Sequence, residues 1–263
     1  MYEFLTRDDK KTIEEISNTL FEDLIQEIER SNQSSIFNTE RLILQSPLNK
    51  LGLQPLRCLL SYRMNEARQN IRIHKYDEKL LRDFQKNGCL ILDDIFSEKD
   101  VVGKTLRIND RFRSIAQMTL GDDFVPEYDM LTVQDMPAFR EKDPQCDSHF
   151  DTFHPTCKIW VYMDDVTIDH APLHYSQGTH KYDKTKLSFM YDLSCKLTAI
   201  KEGDFRDFTR QFNEPIPILG HRFTTIFVDV TGFHKRGNGK RGLIRKSARG
   251  NLNRKNPFRN INE

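Results

Sequence analysis

Eight histidines are spread along the 263 residues, and only one is followed two positions later by an acid, in His149-Phe150-Asp151. In a β-strand, residues i and i+2 point to the same face, so this imidazole and this carboxylate can reach one ion together. A third ligand from a distant strand would complete a facial set of two histidines and one carboxylate. Such a set leaves coordination positions open and suits a non-haem Fe(II) ion that must admit a co-substrate and dioxygen. With eight histidines in an Asp-rich chain, one such pair is close to chance, so its surroundings have to decide.

Those surroundings offer partners. His234 stands in VDVTGFHKRG, directly after the apolar stretch RFTTIFVDV, where a strand can present a second inward-facing ligand. His221 opens the same stretch behind Gly220 and competes with it, but it reads equally as a loop histidine, and His234 is the favoured third ligand. Further on, Arg245 lies in GLIRKS, a plausible next strand, from which a guanidinium can grip a carboxylate with two parallel hydrogen bonds. Other chemistries leave no mark: there is no GxxxxGK[ST], GxSxG, HExxH or GxGxxG pattern.

The elements that must carry these residues fall into two textures. Residues 1–75 read as a helical region that packs on the core or on a partner. Thr12 and Glu15 have the spacing of a capping box, and Ile13, Ile16, Leu20, Leu24 and Ile28 recur at helical intervals. A polar gap at 31–35 precedes a second amphipathic stretch, Leu48 to Ala67. From 76 to 250 the chain reads as one domain. A short helix ends at Gly88, where a C-cap glycine belongs, and runs into the strand CLILDDIF. Ser97 and Asp100 are placed to cap a helix reaching Leu120, closed by Gly121. Beyond it, short β segments at 130–134, 157–166, 173–176 and 222–230 follow without alternating helices. That order favours an antiparallel jelly roll over a βαβ sheet.

Composition narrows the class further. At 37% apolar and 10% aromatic residues the chain can bury one sizeable core, and it has no apolar run near the roughly 20 residues of a membrane span. The N-terminus mixes acids and bases and lacks the apolar segment of a secretory signal. Five scattered cysteines without a CxxC pair argue for a reducing, cytoplasmic setting. The net charge of +1 hides an asymmetry: ten basic residues against one acid lie from Lys235 onward, with 251–263 as a basic tail. The stretch is either a solvated end or a site for phosphate, nucleic acid or an acidic substrate. It lacks the interleaved aromatics of single-strand binders, which makes nucleic acid the weaker reading. Arg236 and Arg241 are the basic residues placed to receive an acidic or phosphorylated substrate.

Three segments, in order, resemble the phytanoyl-CoA dioxygenase-like family of Fe(II)/2-oxoglutarate-dependent oxygenases. They are FQKNGCLILDDIF, SHFDTFHPTCKIWVYMDDVTIDHAPLHYSQGTHK and TGFHKRGNGKRGLIR, and the likeness spans residues 78–250. It implies a double-stranded β-helix core, mainly β with flanking helices, and an enzyme using Fe(II), 2-oxoglutarate and dioxygen to hydroxylate a small or carrier-linked substrate. By the same resemblance His149, Asp151 and His234 ligate the iron and Arg245 binds the distal carboxylate of 2-oxoglutarate. Gln134 is a polar contact to the co-substrate; Lys158 is a second such contact or a barrel-surface lysine. Trp160 and Phe153 line the pocket, or belong to the core. The family's Pro-Gly-Ser-His turn reads Ser176-Gln177-Gly178-Thr179-His180 here, with His180 a turn residue and not a ligand. Relatives that halogenate replace the acid of the HxD motif with a small residue, so Asp151 implies hydroxylation. Substrate selectivity in the family lies in the helical N-terminal region and in mouth loops, here 135–147 and 182–215. The sequence leaves the oligomeric state open.

Overall fold

The computed structural model describes residues 1–32, 37, 43, 46–75, 77–121, 129–195, 212–252 and 256–259, and the statements below concern these. The capping box forms earlier than its expected site. Thr6 Oγ1 accepts from Asp9 N and Asp9 Oδ2 accepts from Thr6 N, opening helix α1 (Arg7–Ser17), while Thr12 Oγ1 donates to the Asp8 carbonyl inside the helix. The expected single helix is also broken. Asn18 turns left-handed at φ 53°, and the chain restarts as α2 (Phe21–Arg30), burying Phe21, Leu24 and Ile28 and leaving Leu20 in solvent. A 3₁₀ turn over Pro47–Leu51 leads into α3 (Leu53–Ile71), which outruns its expected end. Arg63 of α3 clasps the Asp9 carboxylate with two bonds of 3.1 and 2.9 Å.

Helix α4 (Glu78–Asn87) ends as expected at Gly88, whose φ of 74° belongs to the left-handed region. A side chain there would also collide with Tyr175 and His180: an added Cβ would stand 2.3 Å from the Tyr175 hydroxyl. Strand β1 (Cys89–Leu92) follows. Ser97 and Asp100 do form a reciprocal cap, but around one 3₁₀ turn only, not a long helix. Val101–Val102 and Thr105–Arg107 instead pair as the hairpin β2–β3, because β-branched residues around Gly103 suit a ribbon better than a helix. Helix α5 (Asp110–Leu120) begins at Asn109, which accepts from Phe112 N, and closes at left-handed Gly121.

The remaining strands are β4 (Met130–Pro137), β5 (Cys157–Tyr162), β6 (Leu173–Tyr175), β7 (Ile216–Pro217), β8 (Thr225–Asp229), β9 (His234–Arg236) and β10 (Ile244–Leu252). Helix α6 (Lys184–Cys195) lies between β6 and β7, where a mouth loop was expected. It buries residues on several sides, so its sequence carries little helical stripe. The rest of that expected loop, 196–211, lies outside the described residues.

Two antiparallel sheets face each other: β1-β8-β5-β10-β4-β3-β2 and β7-β6-β9. Trp160, Tyr162, Ile226 and Val228 from the first meet Leu173 and Tyr175 from the second. The core is a jelly roll, mainly β, with flanking helices. Alternation along each strand separates two environments. On β5, Cys157, Ile159 and Val161 pack outward against α4 and α5, while Lys158, Trp160 and Tyr162 point between the sheets.

A second apolar cluster joins α1, α2, α3 and α6 to Phe150, Phe153 and Phe233. Phe150 sits between the two residues of the HxD pair and Phe233 directly precedes His234. The N-terminal helices thus form the backing layer of both ligand-bearing segments. Lys186 of α6 ties this layer down. Its fully buried amine donates to the Thr179 and Thr231 carbonyls, at 2.5 and 2.7 Å, and lies over the Tyr182 ring. Burial pushes this amine down to about 8, although Asp229 works against the shift. A neutral amine keeps two hydrogens, one for each carbonyl. Since the unfolded lysine titrates near 10.4, the unfolded state holds the extra proton between about pH 8 and 10, so wild-type stability rises with pH across that window. Lys186→Met is expected to lower stability by about 2 kcal/mol by orphaning both carbonyls, and to abolish that rise. Urea unfolding of both proteins at several pH values measures both effects.

Candidate metal centre and its cavity

The HxD segment does not belong to a long strand. His149 forms an isolated antiparallel bridge with His234, each backbone N–H donating 2.9 Å to the other residue's carbonyl, and Asp151 N donates to Val230 O. This pairing sets the two imidazoles face to face, ring centroids 4.6 Å apart. The turn before His234 is equally constrained. Asp229 accepts from the Thr231 backbone and hydroxyl, and a Cβ on Gly232 would fall 2.1 Å from the Tyr175 hydroxyl.

Each ring is held by its Nδ1. His149 Nδ1 lies 2.7 Å from the Asp147 carbonyl and His234 Nδ1 3.0 Å from the Gly232 carbonyl. A carbonyl only accepts, so Nδ1 carries the proton and Nε2 of each ring presents a lone pair. Both Nε2 atoms face Asp151, at 3.9 Å from Oδ1 and 3.4 Å from Oδ2 respectively. One ligand atom from each of the three residues lies within 4.8 Å of the other two. Two neutral imidazoles and one carboxylate at that spacing fit a divalent first-row cation. Burial works to raise the Asp151 carboxyl, but the group stands well below the ordinary carboxylate range, held there with the help of the Lys158 ammonium 2.7 Å away.

Sequence-expected residues divide at this point. Arg245 and Arg249 of β10 line a cavity of about 110 Å³ together with His149, His234, Lys158 and Trp160. Lys158 does not stand on the outer barrel surface; its ammonium is 2.7 Å from Asp151 Oδ2. Gln134 lines an adjoining groove of about 540 Å³ that shares Lys158, Trp160 and Arg249 with the inner cavity. Trp160 therefore borders both spaces. Phe153 does not: it is wholly buried among the N-terminal helices with the Arg57 guanidinium 3.8 Å above its ring.

His221 is exposed beside Asp165 and outside the cluster of ligands, since the stretch between it and His234 is a full strand long. His180 closes the 176–180 turn as expected; it is buried with Nε2 3.2 Å from the Gln85 carbonyl, and burial pushes its imidazole down to about 3. Among the described residues the basic C-terminal stretch is divided between interior and surface. Arg236 turns inward onto Asp143 at 2.5 Å and onto the Pro137 carbonyl, so it is already paired and offers a substrate little. Arg241 covers the Phe139 ring, and Lys240 pairs with Asp169. Strand β10 runs to Leu252 and Phe258 is buried beyond it.

Two residues were missed. Ser247 stands two positions after Arg245 on the same face; it is fully buried, and its hydroxyl makes no hydrogen bond among the described residues. Arg249 repeats the step. Their shared spacing was in the sequence, but only a known inward face for Arg245 makes it meaningful. Arg245 itself donates to the Ala171 carbonyl, and burial pushes its guanidinium down to about 10. No carboxylate of the chain pairs with it among the described residues.

No protein-family model and no curated protein sequence matches the chain. Among solved structures it is similar to EctD from S. alaskensis with bound Fe, at 16% identity and a TM-score of 0.48, covering 68% of this chain and 77% of that one. It is also similar to AviO1 from Streptomyces viridochromogenes Tue57, at 9% identity and a TM-score of 0.46, covering 68% and 96%. A third is SnoN, a non-haem alpha-ketoglutarate-dependent epimerase from nogalamycin biosynthesis, at 13% identity and a TM-score of 0.42, covering 66% and 81%. Proteins this different share at most a way of folding, so the chemistry rests on the side chains of this chain.

Proposed function

We propose that the chain is a non-haem dioxygenase dependent on Fe(II) and 2-oxoglutarate that hydroxylates a C–H bond of a small-molecule substrate. The observation that carries this reading is the donor set: two imidazole Nε2 atoms, each fixed through Nδ1, and one carboxylate converge beside a buried arginine that has no acid of its own. His149, Asp151 and His234 would hold the metal, and Arg245 the distal carboxylate of the co-substrate. Bound there, Fe(II) would activate dioxygen as the oxidant, with 2-oxoglutarate giving up two electrons as it becomes succinate and CO2.

The chain's own residues do the rest. The Asp147 and Gly232 carbonyls orient the two rings, and Lys158 holds the second oxygen of Asp151 so that the carboxylate keeps one orientation. Arg245 offers a two-pronged grip and Ser247 a hydroxyl on the same strand face. Trp160 and Leu173, both nearly buried, wall the inner cavity and limit bulk water. Gln134, opposite Ser247 in the β4–β10 register, would reach the co-substrate from the groove side. All five cysteines are free, which supports a reducing, cytoplasmic setting; no helix among the described residues is long and apolar enough to cross a membrane.

Anaerobic addition of Fe(II) and 2-oxoglutarate to metal-free protein is expected to produce the weak visible charge-transfer band of their chelate. Folded protein that gives no band would overturn the reading. In the same titration Ser247→Ala should need about ten times more 2-oxoglutarate, the loss of one hydrogen bond to a charged group, while Fe(II) affinity holds.

A further inference from the structure

The charges around the inner cavity do not balance. Asp143 is the one acid in its lining and already has Arg236 at 2.5 Å, while Asp151, beside the lining histidines, has Lys158 at 2.7 Å. Arg245 is assigned above to the co-substrate. Arg249 remains. Arg249 forms no ion pair or hydrogen bond with any described residue, its Nε is buried, and the cations Arg236 and Arg140 repel it. A half-buried guanidinium without an anion is costly, and a ligand that brings one gains from pairing with it.

Position defines what that ligand is. Strand β10 points Arg245, Ser247 and Arg249 to one side, but register separates the arginines: Arg245 stands opposite Met136, whereas Arg249 stands opposite Thr132 and Trp160. Arg249 lines both spaces, while Arg245 lines only the inner one. A molecule in the outer groove would therefore meet Arg249 and the indole of Trp160 at the end nearest the inner cavity. We propose that Arg249 is an anion subsite for the substrate, which selects a small molecule carrying a carboxylate or phosphate and an apolar portion that packs on Trp160. This deepens the oxygenase reading and rests on it for the role of the bound molecule as substrate.

Trp160 is the single tryptophan of the chain, so its fluorescence reports the groove directly. Protein loaded with Zn(II), which is redox-inert, would be titrated with hexanoate, hexyl phosphate and uncharged hexanamide, with and without saturating 2-oxoglutarate. At least one of the two anions is expected to bind about tenfold or more tightly than the amide, and whichever does identifies the acidic group. Arg249→Gln should erase that preference without changing hexanamide binding, and Arg249→Lys should keep part of it. Equal binding of all the probes by the wild type, or a preference that survives in Arg249→Gln, overturns the proposal. So does a loss of 2-oxoglutarate affinity in Arg249→Gln, which would assign the residue to the co-substrate. Calorimetry of Zn(II) and 2-oxoglutarate binding to the wild type keeps the two readings apart. Failure there, with the anion preference intact, removes the oxygenase and leaves the subsite.

Discussion

Asp151→Ala is expected to weaken Fe(II) binding by more than about 100-fold and to abolish the charge-transfer band. Of the three proposed ligand side chains only Asp151 carries a negative charge, so its removal would take away both a bond and the attraction that draws a divalent cation inward. The change also reverses the local field. Lys158, 2.7 Å from the carboxylate in the wild type, would be left as an uncompensated cation beside the two histidines. Asp151→Asn keeps the volume and an oxygen donor but no charge, and should fall between wild type and alanine. Pairing Asp151→Ala with Lys158→Met should recover part of the affinity. Anaerobic Fe(II) titration, with circular dichroism to check the fold, reads all four proteins. Wild-type affinity in Asp151→Ala would remove the residue from the metal site.

Arg245→Gln is expected to raise the concentration of 2-oxoglutarate needed for the band by about 100-fold or more, the value of a two-pronged charged contact in a buried site. Fe(II) affinity should stay where it was, because Arg245 touches none of the three ligands. Burial already pushes the guanidinium down to about 10, with Arg249 and Arg236 adding repulsion, so the dicarboxylate relieves a strained cation as well as gaining hydrogen bonds. Arg245→Lys retains charge but not the planar fork and should recover only a small part. A variant that also loses the Ala171 contact could shift the neighbouring turn, so a matched thermal unfolding curve belongs with the titration. Unchanged co-substrate affinity in a folded Arg245→Gln would leave the anchor to another residue.

Local patterns carried far in this chain. Gly88 was readable as a helix end because its left-handed φ follows from near neighbours alone. The HxD spacing put His149 and Asp151 on one face for the same reason, and the run of short β-branched segments indicated a jelly roll. Failures occurred where near neighbours were indifferent. The apolar period from Ile13 to Ile28 continues through Asn18, yet the chain breaks there, since docking Phe21 against the N-terminal layer outweighs propensity. Arg236 was expected to receive an acidic substrate, and only the fold brings Asp143 and the Pro137 carbonyl to it.

The basic C-terminal stretch makes the division plain. Its charges and their period of two were in the sequence, but a period of two marks a pair of faces without saying which is inward. Pairing of β10 between β4 and β5 decided that Arg245 and Arg249 line the cavity, with Ser247 on their face of the strand, and that Lys246 does not. His234 was already favoured over His221 in the sequence, and the bridge to His149 is what brings its ring beside Asp151. Residue type and spacing determined which chemistry was on offer, a divalent metal and an anion. Which side chains meet was decided by strand register and by the helical layer behind Phe150 and Phe233, because those contacts join segments that no local interaction connects.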